Sequence, residues 1–415
     1  MSIDCTSLDY LATSVKRQRK IYEGSIPLTP VDSIPLAFNE VDTSFLHGFY
    51  ISDKVKTYVE QKNSIIQFSG RKRATADINK IHSTLASQLG ASDGSLRLLS
   101  GLHAHMVVFM SLASIGDTVI LLPDLAGGHF ATKKILDRLG LETLLLPVDE
   151  TLLCIDHEKA SELIENSDPK FIFIDRSEGL RFEDFSFLKS FEKPIKIFDA
   201  SQYLPQIMCK AYTNPFEWGF DLILFTVHKS FPGPQKAGIV TRVKDEVWTK
   251  LLEGLSSFVS SSHAENTFKL GFALQKFDII NYLGNMLVSL AEKLEAELTQ
   301  KSVPVISRTL QGHAEWPATQ HIWIRCENKD KAFELYSNLA KCRIHTNYRL
   351  LPYNLGWGIR LGTTSAIMLG LSECTLESMS ELISKIYHKG FSLSIRHEVR
   401  KLREQMKEKS TIVWP

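Results

Sequence analysis

Charge of one sign, paired cysteines and long apolar runs are all missing from this chain, and each absence closes off a class of function. Lysine plus arginine (48) nearly balances aspartate plus glutamate (47), so no overall field points to nucleic acid or to an anionic membrane. Basic residues cluster only locally. Arg71-Lys72-Arg73 reads either as a solvated turn or as a phosphate or carboxylate site, and the stretch Arg396 to Lys409 is spaced like an exposed helix face without evident function. The six cysteines (Cys5, Cys154, Cys209, Cys326, Cys342, Cys374) form no C-x-x-C pair and no His/Cys cluster at metal spacing, so neither a disulfide framework nor a bound metal is expected. Met1 to Cys5 lacks a basic stretch followed by an apolar one, and no apolar run is long enough to cross a bilayer. A reduced, cytoplasmic protein is the expectation. No Gly-x-Gly-x-x-Gly follows a strand, so a dinucleotide fingerprint is absent too.

What is present is a long alternation. With 415 residues, 44% of them hydrophobic, the chain can bury a large core, more readily in two domains than in one. Short apolar runs at Leu96–Leu99, Thr118–Leu122, Glu142–Leu146, Phe171–Asp175, Ile195–Asp199 and Leu222–Phe225 are separated by segments of helical period. Those segments are Ile78–Leu89, His103–Ala113, Ala131–Leu139 and Lys159–Glu165. Continuously apolar strands between amphipathic helices predict an α/β fold, a mostly parallel sheet covered on both faces. Residues 1–45 show no sustained period and read as an N-terminal arm; 46–270 form the large α/β domain. Residues 264 to 299 read as one or two long helices leading into a smaller α+β domain, 271–415, with strands at Gln320–Arg325 and Trp357–Leu361.

In parallel sheets, ligands bind at the carboxyl ends of the strands. Ser100, Ser177, Asp199 and Lys229 all fall at or just past such ends. Lys229 follows an apolar strand and opens into Pro232-Gly233-Pro234; a desolvated lysine held in this way is the usual source of a Schiff-base nucleophile. Asp199 closes its own apolar strand. A carboxylate there needs a partner, either a protonated ring nitrogen or an ordinary salt bridge or helix cap. Together, lysine and aspartate are the protein half of pyridoxal-phosphate chemistry. Ser100-Gly101, between strand and helix, reads as a phosphate site or as a simple N-cap. His129 after Gly127-Gly128 could stack on an aromatic cofactor or merely occupy a turn. Arg360, in Gly358-Ile359-Arg360-Leu361-Gly362-Thr363, fits bidentate capture of a carboxylate and equally a structural ion pair.

Taken together, these segments resemble serine hydroxymethyltransferase, a fold-type-I pyridoxal-phosphate enzyme, over nearly the whole chain. Thr226-Val227-His228-Lys229-Ser230 through Gly233-Pro234 is similar to that family's T-T-H-K-T-L-R-G-P, and Asp199-Ala200 to its D-x-A-H. Ser177, Arg181, Asp184 and Phe185 match S-A-Y-S-R-x-x-D-F, and Leu99-Ser100-Gly101 matches its phosphate-binding S-G. Gly116-Asp117-Thr118-Val119 with Gly127-Gly128-His129 resembles G-D-T-V…G-G-H, and the Arg360 segment resembles G-I-R-x-G-T. The resemblance implies pyridoxal 5'-phosphate bound to Lys229, with its ring nitrogen on Asp199. Ser100, Gly101, His129, Ser177, Gln202, Thr226 and His228 would surround the cofactor, and Arg360 would hold the substrate carboxylate. It also implies a homodimer with shared active sites.

Several positions depart from the family. Gln202 replaces the D-x-A-H histidine, the tyrosine pair is missing after Gly70-Arg71-Lys72-Arg73, and the loop from Asn347 to Gly358 is shorter. Ser260-Ser261-Ser262-His263 stands where the family has a glycine-rich segment. These departures imply a folate-independent member, closer to the threonine aldolase or transaldolase branch, acting at the Cα–Cβ bond of a small β-hydroxy amino acid. Aminotransfer or other Cα chemistry (racemisation, decarboxylation, oxidation) is the alternative within enzymology. A degenerate binding or regulatory protein is the alternative outside it.

Overall fold

The computed structural model describes residues 10–36, 41–51, 56–408 and 410; Cys5, the first residues of the expected arm and Lys409 lie outside them. A seven-stranded sheet forms the centre. Its strands are β1 (Asp93–Ser95), β2 (Thr118–Leu121), β3 (Glu142–Leu145), β4 (Phe171–Ile174), β5 (Ile195–Asp199), β6 (Leu222–Thr226) and β7 (Ala237–Thr241). They lie in the order β1-β7-β6-β5-β4-β2-β3. β2 to β6 are mutually parallel, while β7 runs antiparallel to both neighbours. This is the expected α/β architecture.

The sheet is buried on both faces, and alternation along each strand decides which side chain goes where. Phe171 and Phe173 pack into a cluster with Val119, Leu121, Ile197, Leu222 and Trp248. Ile172 and Ile174 point the other way, into the larger core with Ile120, Phe198, Ile223 and Leu283. All four residues of β4 are fully buried. Each such side chain contributes roughly 1.5–3 kcal/mol by leaving water, so register is strongly fixed at the strand that adjoins the site.

A second, three-stranded antiparallel sheet joins β8 (His321–Arg325), β9 (Asn347–Leu350) and β10 (Trp357–Gly362), with β10 in the middle. Helices Ala264–Gln275 and Phe277–Gln300 connect the two sheets. Leu287, Leu290, Leu294 and Leu298 of the second helix are buried in the larger core, which also takes in Ile322, Ile359 and Leu361.

Two expectations are corrected. Leu96–Leu99 is not a strand: the ladder with β7 involves Asp93–Ser95, where Gly94 lets Val240 approach so closely that a Cβ would lie 2.8 Å from its Cγ1. Leu96–Leu99 continues beyond that ladder and leads to Ser100 at the head of the next helix. Residues 10–36 are also more ordered than a patternless arm. Leu11–Glu23 is a helix, Ile26–Pro27 pairs in parallel with Ile344–His345, and Ile26, Leu28, Ile34 and Leu36 are buried in the main core. The Leu11–Glu23 helix has no buried residue.

Candidate active site

Lys229 lies just past the end of β6, and the loop after it is tied down from several sides. Gly233 N–H donates to the Val227 carbonyl at 2.8 Å, and a Cβ on Gly233 would sit 2.6 Å from that oxygen, so this turn requires glycine. Ser230 Oγ donates to Ser201 O (3.2 Å), Ser33 Oγ to Phe231 O (2.9 Å) and Leu36 N–H to Pro232 O (3.0 Å). Among the described residues the Lys229 amine has no hydrogen-bond partner. Burial lowers its pKa; Asp199 opposes that shift without cancelling it. An amine that is costly to protonate and has no partner is a poised nucleophile.

Asp199 ends β5 and is almost fully buried. Its Oδ1 accepts from Ser201 N–H at 2.8 Å, and its Oδ2 lies 2.9 Å from His105 Nε2. Burial alone would raise the carboxyl pKa, but the His105 contact, Lys229 and the Ser201 bond outweigh it and hold Asp199 below its ordinary range. The contacts continue inward: His105 Nδ1 is 3.2 Å from Thr132 Oγ1, which is 2.5 Å from Asp175 Oδ2. Burial drives Asp175 well above the usual carboxylate range, and Asp199 adds to that. Thr132 O–H donates to Asp175 Oδ2 and its oxygen lies beside His105 Nδ1, while Nε2 faces the Asp199 carboxylate. The contacts hold the imidazole in place against the strand-end carboxylate.

Gly127 and Gly128 deliver His129 to the same place. Gly127 has φ 86°, and a Cβ there would lie 2.2 Å from the Glu178 carbonyl; Ser177 N–H donates to Gly127 O at 2.7 Å. Burial, with His105 and Lys229 nearby, lowers His129 to about 4, so the ring is neutral. Ser100 does cap the Gly101–Leu112 helix, accepting from His103 N–H at 3.3 Å, which leaves the first-turn N–H groups of Gly101 and Leu102 for an anion. His228 Nδ1 faces the Lys236 backbone, 3.0 Å from its carbonyl and 3.2 Å from its N–H.

Arg360, in the middle strand of the small sheet, is drawn into the same cluster: it and Asp199 both act on Lys229. It is buried, donates through Nε to Asn347 Oδ1 (3.3 Å), and pairs through Nη1 with Glu178 Oε2 (3.5 Å). Glu178 is wholly buried and also contacts Arg349. Arg181 plays a different part, donating to the carbonyls of Arg308, Ala314 and Trp316 and so joining two segments of chain.

The sequence reading did not include His105, Thr132, Asp175, Glu178 or Arg349. The only local hint of His105 was an imidazole inside an otherwise apolar helix, after the Ser-Gly cap.

The residues present fit a pyridoxal-phosphate-like group. Around the Lys229 amine and the ionised Asp199, several buried polar atoms lack partners: Gln202 Nε2, Thr226 Oγ1 and Asp175 Oδ1. Orphaned buried polar atoms are costly in a finished core, and a polar ligand would satisfy them.

Comparison with known proteins agrees in kind. No family model matches the chain. A serine hydroxymethyltransferase of Sulfolobus acidocaldarius is 28% identical over 350 residues, covering 80% of this chain and 77% of that protein. The L-threonine:uridine-5'-aldehyde transaldolase of a Streptomyces species is 26% identical over 313 residues, covering 74% and 72%. The chain is similar to serine hydroxymethyltransferases over most of its length. Its fold is that of the crystal structure of L-threonine transaldolase from Pseudomonas fluorescens in internal aldimine state, with a TM-score of 0.87 at 21% identity over 97% of this chain and 92% of that one. The chain thus carries the fold-type-I architecture that the resemblance implied.

Proposed function

We propose that this serine hydroxymethyltransferase-like chain is a pyridoxal-phosphate enzyme that makes or breaks the Cα–Cβ bond of a small β-hydroxy amino acid without folate. The observation that carries this reading is the convergence of a partnerless, desolvated Lys229, an ionised Asp199 and a buried Arg360 on one site. Lys229 would hold the cofactor covalently, with Asp199 at the pyridine nitrogen and neutral His129 against the ring. Gln202, Thr226, Ser177 and His228 would line its edge, and the Ser100-Gly101 helix start would take the phosphate. When bound, the cofactor supplies an electron sink for the bond broken at Cα.

The chain supplies the rest. Arg360 seats the substrate carboxylate and so fixes which Cα substituent can stand perpendicular to the ring. Burial lowers the pKa of Lys229, which would let its amine accept or return a proton near Cα. Asp199 stays ionised because His105 donates to it, which keeps positive charge favourable at the ring nitrogen. The close-packed β4 and the tied Lys229 loop hold these groups in fixed register.

The finer assignments are part of the proposal: a large unit of residues 46–270 with the amine, a small unit 271–415 with Arg360, cytoplasmic residence, and a homodimer. The dimer is supported by Leu102, Met106 and Met110, exposed at four-residue spacing along the helix that Ser100 caps. No helix of the described residues is long and apolar enough to cross a membrane.

The test is direct. Purified protein given pyridoxal phosphate should absorb in the visible and, after borohydride reduction, carry the label on Lys229. Threonine or serine should then yield glycine and an aldehyde. Colourless, unlabelled protein would overturn the reading, and keto-acid formation in place of glycine would move it to aminotransfer.

A further inference from the structure

A cavity of about 620 Å³ lies away from Lys229, between the Leu11–Glu23 helix, the Leu393–Glu408 helix and the turn at Arg343. Its lining is strongly one-sided in charge: Arg17, Lys20, Arg343, Arg396, Arg403 and Lys407 all face it, with Arg400 beside them, against only Glu23 and Glu404. Both carboxylates are already engaged within their own helices, Glu23 by Arg19 at 2.9 Å and Glu404 by Arg400 at 3.1 Å. Among the described residues, none of the six cations just named forms an ion pair. The whole chain has a formal net charge of only +1, so this excess is a local construction.

Two of the six are placed at a cost. Arg403 is buried, with Glu23 and Tyr22 near enough to favour its charge, but among the described residues its Nε has no hydrogen-bond partner and Nη1 makes only a long bond to the Leu369 carbonyl (3.4 Å). A buried guanidinium with an orphaned donor is unfavourable unless something answers it. Arg343 adopts φ 72°, a left-handed conformation that a side-chain-bearing residue rarely takes. Its neighbour in charge is Arg396, of like sign, and burial together with that neighbour lowers its pKa. Strain and like-charge crowding persist where the surroundings hold a residue in place, and they mark functional positions.

We propose that this cavity is a binding site for a compact polyanion carrying two or more phosphate groups. The volume falls within the usual range of small-molecule sites. Arginine outnumbers lysine on the lining, and its planar fork suits bidentate contact with phosphate oxygens. No phenylalanine, tyrosine or tryptophan lines the cavity and His397 is its one aromatic ring, so recognition would rest chiefly on the phosphates. A local concavity fits a compact anion better than an extended nucleic-acid strand, which calls for a basic stripe. The site is independent of Lys229 and of the reaction proposed there.

The experiment is calorimetric titration of the full-length protein with inorganic tripolyphosphate at physiological salt, with citrate and a single-stranded RNA oligomer as comparison ligands. Saturable one-to-one binding is expected, at least tenfold tighter than for citrate. Arg343→Gly removes the guanidinium and relaxes the left-handed backbone, so it should weaken binding at least tenfold while leaving the melting temperature unchanged or higher. Arg396→Gln should weaken binding comparably. The cofactor absorbance at Lys229 should be the same in all three proteins. No saturable binding, native affinity retained in both variants, or tighter binding of RNA than of tripolyphosphate would each overturn the proposal.

Discussion

Replacing His105 with phenylalanine keeps the ring and removes both nitrogens, which isolates the role of the imidazole beneath the site. The edge-on packing against Phe173 (centroids 4.8 Å apart) should survive, so the change is chiefly one of hydrogen bonds. A hydrogen bond to a charged partner contributes about 1.5–3 kcal/mol, and one pKa unit corresponds to about 1.4 kcal/mol. Losing the Nε2 donor should therefore raise the Asp199 pKa. Thr132 loses a partner as well, and with Asp199 only 8% exposed water cannot fully replace the donor. A total loss of about 2–4 kcal/mol at neutral pH follows.

The pH dependence has a definite sign. In the native protein Asp199 is held below its unfolded value, so its stabilisation is present at neutral pH and is lost as pH falls through the folded pKa. In His105→Phe the folded value rises toward the unfolded one, so the part of the acid destabilisation that Asp199 contributes shrinks and the profile flattens. Urea unfolding of the apoprotein from pH 2 to 8 measures both effects, and the Asp199→Asn and double variants supply the coupling energy. A single variant within about 0.5 kcal/mol of the native protein, with an unchanged acid profile, would refute the reasoning.

Other outcomes can be checked with the same preparations. Lys236 is buried with its Nζ donating to Ser262 O at 2.7 Å, and burial lowers it to about 7. The unfolded chain therefore binds the extra proton between pH 7 and the ordinary lysine value. Stability should rise by up to about 1.4 kcal/mol per pH unit in that window, and Lys236→Met should flatten the rise in unfolding midpoint. Arg360→Lys keeps the charge but loses the fork, so KM for the amino acid should increase about tenfold or more with kcat less affected; steady-state kinetics would show it. Gly127→Ala combines a positive φ with a Cβ 2.2 Å from the Glu178 carbonyl, and thermal melts should register a loss above about 3 kcal/mol.

The parts of this site that were legible in the sequence are those fixed by local pattern. Lys229 and Asp199 follow or end apolar strands, and a polar residue in that position faces the ligand side of a parallel sheet. His105 was hidden because its helix is apolar almost throughout, where one imidazole is indistinguishable from a core residue. Glu178 acquires meaning only through Arg349 and Arg360, which lie far along the chain on another sheet. The Leu11–Glu23 helix was missed for a different reason: its apolar face is short, carried by Leu11, Val15 and Tyr22 among many charges.

Glu178 also changes what it means for an amino acid to dock. In the role proposed for it, Arg360 already has the Glu178 carboxylate beside it, so seating a ligand there would swap one anion for another and gain little from bulk attraction. Arg349 gives the displaced glutamate somewhere to remain neutralised, which keeps the swap reversible. Under such an arrangement, small anions of the wrong shape have little advantage, and discrimination falls to how well the incoming molecule also meets the amine, the ring and the polar edge of the cleft.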